Sequence, residues 1–235
     1  MIDLFIVLLL VHLLGDFVFQ NDWLIALKKK FWGQLLHSFI IFLICVCLIP
    51  ESQGLFLAWI MAGSHFFIDF IKTKLNRHDN LKLFLIDQGI HVFVILFLVF
   101  TLGLHYQLFW FYQSREAFLK ILLVCIGIIM NTSVSNWIVV KFFKIHYPNE
   151  HFETGLQNAG KYIGHLERLI LMLTVLTSNS AAIGFLITAK FILRIGKLTD
   201  KDNKKEAEYI ILGTFLSIVL ALCWSYTVLY LMGMV

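Results

Sequence analysis

Long apolar segments separated by short charged connections constrain this chain most. Eight segments approach the length of about 20 residues that a helix needs to cross a bilayer. They are residues 2–20, 34–50, 54–74, 83–104, 117–140, 160–178, 179–195 and 208–233. Because a spanning segment must satisfy its own backbone hydrogen bonds, the sequence predicts an all-α polytopic membrane helix bundle of about eight transmembrane helices.

The composition supports a single integral membrane domain. Of the 235 residues, 60% are hydrophobic and 14% are charged, whereas soluble domains are roughly 45–50% apolar and about 25% charged. No polar stretch is long enough for a separate soluble domain. We therefore expect one domain over 1–235, with halves at 1–104 and 117–235. The lipid bilayer is its expected partner, no nucleic acid is expected, and the oligomeric state stays open.

The sixth and seventh segments are short and lie close together. They are separated only by Thr177-Ser178-Asn179-Ser180, which predicts a tight helical hairpin. A re-entrant pair of helices is the alternative interpretation of 160–195, because both segments are shorter than the about 20 residues that a span needs.

Basic residues predict the orientation of the bundle. Lysine and arginine concentrate in every second connection, at 28–30, 72–82, 141–161 and 194–205, while the intervening connections are poor in charge. Cytoplasmic connections carry the excess of positive charge. The pattern therefore predicts a protein of the bacterial cytoplasmic membrane with both termini outside.

Seven histidine and aspartate side chains lie within the first four apolar segments: His12, Asp16, His37, His65, Asp69, Asp87 and His91. Six of them form three pairs with a spacing of four residues, which places each pair on one face of a helix. A charge near the bilayer centre costs at least ~2.5 kcal/mol, so such residues call for a function. The predicted topology puts all seven in the cytoplasmic leaflet, and one shared site is therefore expected.

Imidazole and carboxylate groups on several facing helices are typical of a metal site in a bundle. Four histidines and three aspartates exceed what one tetrahedral zinc ion needs. They suit two metal ions sharing a bridging aspartate, or one metal ion whose imidazole ligands are oriented by the carboxylates. Zinc, manganese and iron all remain candidates. The alternative without metal is a set of aspartate–histidine hydrogen bonds between helices.

Further polar residues are candidates for substrate binding. Gln20 and Gln88 adjoin the His/Asp pairs, and their amides are expected to bind substrate oxygens or to orient ligands. In the second half the candidates are Glu167, Arg168, Lys190 and Arg194. The three cations suit a phosphate or an anionic lipid head group. The alternative for them is simple extension of the charged ends to the membrane surface.

Several of these motifs resemble a known family. The strings His12-Leu13-Leu14-Gly15-Asp16, His65-x3-Asp69 and Asp87-Gln88-x2-His91 resemble the bacterial membrane family catalogued as domain of unknown function 3307. The resemblance continues through Gly164-x2-Glu167-Arg168 and covers nearly the whole chain. It implies no particular activity. The His/Asp pattern is also similar, more loosely, to that of membrane-bound metal-dependent hydrolases, and this similarity implies hydrolysis.

The first functional hypothesis is an intramembrane metal-dependent hydrolase. A bound metal ion lowers the pKa of its water and polarises a phosphoryl or carbonyl oxygen. Asp16 or Asp87 would take the proton as general base, and Arg168 would offset the charge of the substrate. The substrate is then an amphipathic phosphate or ester at the cytoplasmic leaflet.

Two other classes of function remain open from the sequence. Ionisable residues within membrane spans also mark ion pathways, which is the pattern of a metal-ion or proton-coupled transporter. Transporter sites lie near the midplane, however, whereas these residues group at one leaflet. A non-catalytic membrane partner subunit is the third reading.

Overall fold

The computed structural model describes residues 1–49, 52–74, 81–102, 114–146, 159–198 and 204–235. All regular secondary structure within these ranges is helical, which confirms the predicted all-α class. The helices are α1 (Ile2–Phe17), α2 (Asp22–Leu27), α3 (Phe31–Leu48), α4 (Ser52–Lys74), α5 (Leu81–Leu102), α6 (Arg115–Ile129), a π-helical segment (Met130–Val134), α7 (Ser135–His146), α8 (Ala159–Leu176), α9 (Ser180–Leu198) and α10 (Lys204–Met232).

Several helices have the length and apolar composition of membrane spans. Among the described residues there are five: Phe31–Leu48, Gly54–Lys74, Leu81–Leu102, Arg115–His146 and Glu208–Met232. The other three predicted spans, in α1, α8 and α9, are not among them. Helix α1 has 16 residues and is thus about 24 Å long, less than the roughly 30 Å of the hydrocarbon core. The fold is that expected of a multi-pass membrane protein, and the count of eight spans stays a prediction.

The described chain forms two compact units. The first contains Met1–Ile129 with Val235, and the second contains Met130–Met234. Helix α6 therefore belongs with the first four predicted spans, whereas the sequence placed it in the second half. The reason is its apolar face, including the buried Leu119, Leu123 and Ile126, with which α6 packs against α1.

Helix α1 is the central element of the first unit. It packs against α3, α5 and α6, and Ile6, Leu8 and Val11 are fully buried. A helix that is apolar on all sides is buried in a protein core or in lipid, and here other helices surround it. His12 and Asp16 are therefore carried into the middle of this unit and not to its lipid-facing surface.

Helices α1 and α3 approach closely at Gly15. A Cβ atom at this position would lie 2.7 Å from Cγ1 of Ile41, so only glycine allows the observed separation. Ile41 follows His37 by one helical turn, and Asp16 is the next residue after Gly15. The close approach therefore brings the carboxylate of α1 to the imidazole of α3.

The turn around α2 returns the chain towards the end of α1. Asn21 begins α2, and its Oδ1 accepts a hydrogen bond from the Leu24 backbone N–H at 2.9 Å. A Cβ atom at Gly33 would lie 2.1 Å from the Leu27 carbonyl oxygen, so the entry into α3 requires glycine. This compact turn places the Lys28 ammonium 2.7 Å from Oε1 of Gln20.

The second unit contains the hairpin that the sequence predicted. Helix α8 ends at Leu176 and α9 begins at Ser180. Between them Ser178 takes a left-handed backbone conformation with φ 55°, and Asn179 Oδ1 accepts from the Ala182 N–H at 3.1 Å. Helix α10 packs along α8 and also contacts α7 and the π segment.

Candidate metal centre

Three histidine side chains from three helices converge inside the first unit. His12 of α1, His65 of α4 and His91 of α5 each offer a ring nitrogen, and the three nitrogens lie within 4.8 Å of one another. Each residue is at most 2% exposed. The His91 ring stacks on that of His65 with 4.1 Å between centroids. Three buried imidazoles thus converge on one small volume.

An aspartate stands one helical turn from each of these histidines. Asp16 follows His12, Asp69 follows His65, and Asp87 precedes His91. The order is reversed on α5 because this helix runs back from the end of α4.

His37 connects two of these carboxylates. Its Nε2 lies 3.0 Å from Asp16 Oδ1 and 3.8 Å from Asp69 Oδ2. The ring is fully buried. The aspartates therefore form a polar layer next to the three-histidine cluster, and His37 from α3 belongs to that layer and not to the cluster.

Two lysines complete the polar layer. In the sequence they served only as part of the positive charge that predicts orientation. The Lys28 ammonium lies 2.7 Å from Asp69 Oδ2, and the Lys72 ammonium lies 2.7 Å from Asp87 Oδ2. One signal for Lys72 was present in the sequence, because it follows Asp69 by three residues and shares its helical face. Lys28 lies between helices and reaches the site only through the fold of the α2 turn.

Asp16 has a different set of contacts. It accepts hydrogen bonds from His37 Nε2 at 3.0 Å and from Gln88 Nε2 at 3.3 Å, and its Oδ2 lies 3.8 Å from His12 Nδ1. His37 Nδ1 is buried and has no hydrogen-bond partner in the described part of the chain. A protonated ring would bury an unpaired N–H there, so the geometry favours neutral His37. Asp16 is thus the carboxylate without an ammonium partner among the three.

The hydrogen bonds around the cluster determine which nitrogens carry protons. Asp16 only accepts, so Gln88 presents its amide N–H to Asp16 and its carbonyl oxygen to His12. The Gln88 Oε1 then accepts from His12 Nε2 at 3.1 Å. In the same way the Met61 carbonyl oxygen accepts from His65 Nδ1 at 3.1 Å. Neutral His12 therefore has its lone pair on Nδ1, and neutral His65 has its lone pair on Nε2.

These two lone pairs face each other. His12 Nδ1 and His65 Nε2 are 2.9 Å apart, a separation that two unprotonated nitrogens occupy only with a positive charge between them. Either one ring is protonated or both nitrogens bind a cation. Metal–nitrogen bonds of about 2.0–2.1 Å place neighbouring ligand atoms about 2.9–3.4 Å apart, and the observed distance lies at the lower end of that range. The distance between these two nitrogens therefore fits two ligands of one metal ion.

The two glutamines that were candidates for substrate binding, Gln20 and Gln88, both lie in the network. Gln88 links His12 to Asp16, and Gln20 accepts from Lys28. Both amides hold other side chains of the site in position. Their observed contacts therefore correspond to the orienting role, and not to the substrate-binding role, that the sequence left open.

The predicted cations of the second half belong to the second unit. Lys190 forms an ion pair with Glu167 at 2.6 Å, so these two residues bind each other. The side chain of Arg194 lies outside the described residues.

The contacts of Arg168 are not those expected of a residue that binds a substrate anion. Arg168 is 4% exposed, and its Nε donates to the Asn131 carbonyl oxygen. Its other nitrogens donate to Thr132 O at 3.4 Å and to Ser217 Oγ at 3.1 Å. A π segment widens the helix and changes its hydrogen-bond pattern, and the guanidinium satisfies these two backbone carbonyls. The predicted substrate role is corrected accordingly: Arg168 stabilises an irregular helix.

Replacing Arg168 with methionine should therefore lower stability. The change removes the hydrogen bonds that the guanidinium donates to the Asn131 and Thr132 carbonyls, and hydrogen bonds to a charged group contribute about 1.5–3 kcal/mol each. We expect a clearly lower thermal unfolding midpoint in detergent, measured by intrinsic fluorescence, with metal content unchanged. Arg115→Met is the matched control, because Arg115 forms a half-exposed ion pair with Asp3 and such pairs contribute about 0–1 kcal/mol. Equal midpoints for the two variants would contradict the stabilising role.

Comparison with known proteins supports the resemblance in the first half. Residues 4–119 match the model of the family described as protein of unknown function, DUF3307. The matched region contains all seven predicted His and Asp residues and both lysines of the polar layer. Neither a curated protein nor a solved structure matches the chain.

Proposed function

We propose that this chain, which belongs to the DUF3307 family over residues 4–119, is a membrane-embedded metal-dependent hydrolase. The observation that supports the proposal most directly is the 2.9 Å separation of His12 Nδ1 and His65 Nε2, with a ring nitrogen of His91 in the same cluster. Three imidazole ligands leave one coordination position open. An open position is typical of catalytic metal sites, whereas structural sites are closed.

The contacts favour one metal ion over two. Asp69 and Asp87 are each 2.7 Å from a lysine ammonium, so their charge is already balanced. The proposed ligands are therefore His12, His65 and His91, and the aspartates hold the surrounding layer in place. Zinc, manganese and iron all accept imidazole ligands.

Asp16 is the proposed general base, in preference to Asp87. Its charge has no ammonium partner among the residues that the structure describes, and its Oδ2 lies 3.8 Å from the His12 nitrogen that faces the cluster. It is thus close enough to accept a proton from a water molecule beside the histidines. The hydrogen bonds from His37 and Gln88 hold the carboxylate in this orientation.

The proposed reaction is hydrolysis of an amphipathic phosphate or ester. A divalent metal ion would supply an activated water and polarise the oxygen of the substrate. The water oxygen forms a bond to phosphorus or to the carbonyl carbon, its proton passes to Asp16, and the ester bond breaks. The leaving alkoxide takes up this proton from Asp16, so that an alcohol and an acid are released and the carboxylate is restored.

The membrane arrangement is part of the same proposal. Eight spans with both termini outside a bacterial cytoplasmic membrane would place Lys28 and Lys72 at the cytoplasmic face, where a lipid head group can reach the site. Cysteines introduced at Lys29 and at Glu51 test this orientation by labelling intact cells with an impermeant maleimide. We expect labelling at position 51 and none at position 29, and the reverse pattern would exclude the topology.

The activity itself is tested with a panel of lipid phosphates, phospholipids and neutral lipid esters. The full-length protein is supplied in nanodiscs with zinc, manganese or iron. We expect metal-dependent release of phosphate or fatty acid from at least one class. Metal uptake into proteoliposomes, with no panel member hydrolysed, would overturn the proposal in favour of a metal transporter.

A further inference from the structure

We propose that the polar layer recognises an anionic head group, with Lys72 as the residue that binds it, so that the substrate is an amphipathic phosphate and not a neutral ester. This inference rests on the proposed function and specifies its substrate class. In the structure each of the two lysines, Lys28 and Lys72, pairs with an aspartate that stands one helical turn from a proposed metal ligand.

Both lysine–aspartate ion pairs lie close to the proposed metal ligands. Lys28 meets Asp69 one turn from His65, and Lys72 meets Asp87 one turn from His91. Both pairs belong to helix ends that adjoin charged connections, whereas the histidines lie deeper in the apolar segments. A head group that approaches the histidines from this end meets the ammonium groups first.

The net charge of the polar layer with a bound metal ion favours an anionic ligand. The layer contains three carboxylates, on Asp16, Asp69 and Asp87, and two ammonium groups. With neutral histidines the sum is minus one, and a bound divalent ion changes it to plus one. A net positive charge in a site of low dielectric constant attracts an anion strongly and a neutral ester hardly at all.

The two lysines differ in how much of each side chain is exposed. The Lys28 side chain is 16% exposed and is held between Asp69 and Gln20. Lys72 is 49% exposed, while the carboxylate it meets, on Asp87, is only 10% exposed. An ammonium group has three N–H donors, so Lys72 can keep Asp87 and still donate to a phosphate oxygen. Lys28 is the buried counter-ion, and Lys72 is the accessible donor.

The test compares binding of a non-hydrolysable anion with binding of a neutral analogue. Dodecylphosphonate and dodecyl methyl ketone are titrated into zinc-loaded protein in nanodiscs, and affinity is measured by thermal shift. Lys72→Met should weaken phosphonate binding about tenfold, the loss expected for one charge-assisted hydrogen bond. Affinity for the ketone and zinc content should not change, and Lys72→Arg should bind phosphonate within about threefold of the native protein.

Lys74→Met is the matched control. Lys74 lies on the same helix, and its ammonium contacts the Phe70 ring at 4.5 Å. It should bind phosphonate as the native protein does. An unchanged phosphonate affinity in Lys72→Met, or an equal loss for phosphonate and ketone, would overturn the inference. Because binding needs no turnover, selective loss in a protein that hydrolyses nothing would retain the anion site while rejecting the hydrolase.

Discussion

Replacing His65 with alanine is expected to remove the bound metal from the purified protein. His65 Nε2 faces His12 Nδ1 at 2.9 Å, and the Met61 carbonyl holds the opposite side of the ring. The variant therefore loses both a ligand and the ring that fixes the cluster. Metal content measured by mass spectrometry should fall from about one ion per chain to less than about a tenth, because three ligands are the minimum for such a site.

The same loss should appear in stability. A ligand present at 100 times its dissociation constant stabilises the folded state by about 2.7 kcal/mol. Added zinc should therefore raise the thermal midpoint of the native protein and leave that of His65→Ala unchanged. His146→Ala is the control, since His146 is exposed on α7 and its contacts among the described residues are with Phe142 of its own helix.

The Asp69→Asn variant tests whether the three histidines alone are the ligands. In the simpler alternative, every residue of a His/Asp pair binds the metal. Asp69 is neutralised by Lys28 at 2.7 Å, so the asparagine variant should keep its metal. Full metal content in His65→Ala, or loss of metal in Asp69→Asn, would contradict the three-histidine site.

Replacing Asp16 with asparagine is expected to abolish most of the turnover while the metal stays bound. Asparagine preserves the shape of the side chain and can still accept from His37, but it cannot take up a proton. General base catalysis contributes about 10²–10⁴-fold, and we expect kcat on the best substrate of the lipid panel to fall within that range. The assay is initial rates in nanodiscs, with metal content measured on the same samples.

Asp87→Asn is the matched control for Asp16. Both aspartates stand one turn from a ligand histidine, but Asp87 contacts Lys72 and is not the proposed base. Its substitution should lower kcat much less than that of Asp16. If the two variants lose the same activity, or if Asp16→Asn loses its metal, Asp16 is not a general base.

The convergence of the His/Asp residues followed from spacing and orientation alone. A separation of four residues puts His65 and Asp69 on one face of any α-helix, and the alternating charge of the connections predicted a common depth for the pairs. The hairpin near Ser178 was likewise predicted from local residue types, Thr177-Ser178-Asn179-Ser180. These features depend on neighbours along the chain, which is why they were predictable.

Which of these side chains face one another in the cluster, and which belong to the surrounding polar layer, could not be predicted in this way. Four histidines look alike in the sequence, yet His37 faces a carboxylate while His12, His65 and His91 face one another. Arg168 looked like an anion-binding residue, but it satisfies the carbonyls of a π segment that no hydropathy pattern indicates.

What the sequence by itself determined is an all-helical membrane chain with ligand-type residues on matching helical faces. Those properties arise from periodicity and hydropathy, which act within a single helix. Only the tertiary structure decided which aspartate lacks a cation, because Lys28 and Lys72 reach Asp69 and Asp87 across gaps of 41 and 15 residues. Electrostatic energy depends on distance in space, and that distance exists only once α1, α4 and α5 have packed together.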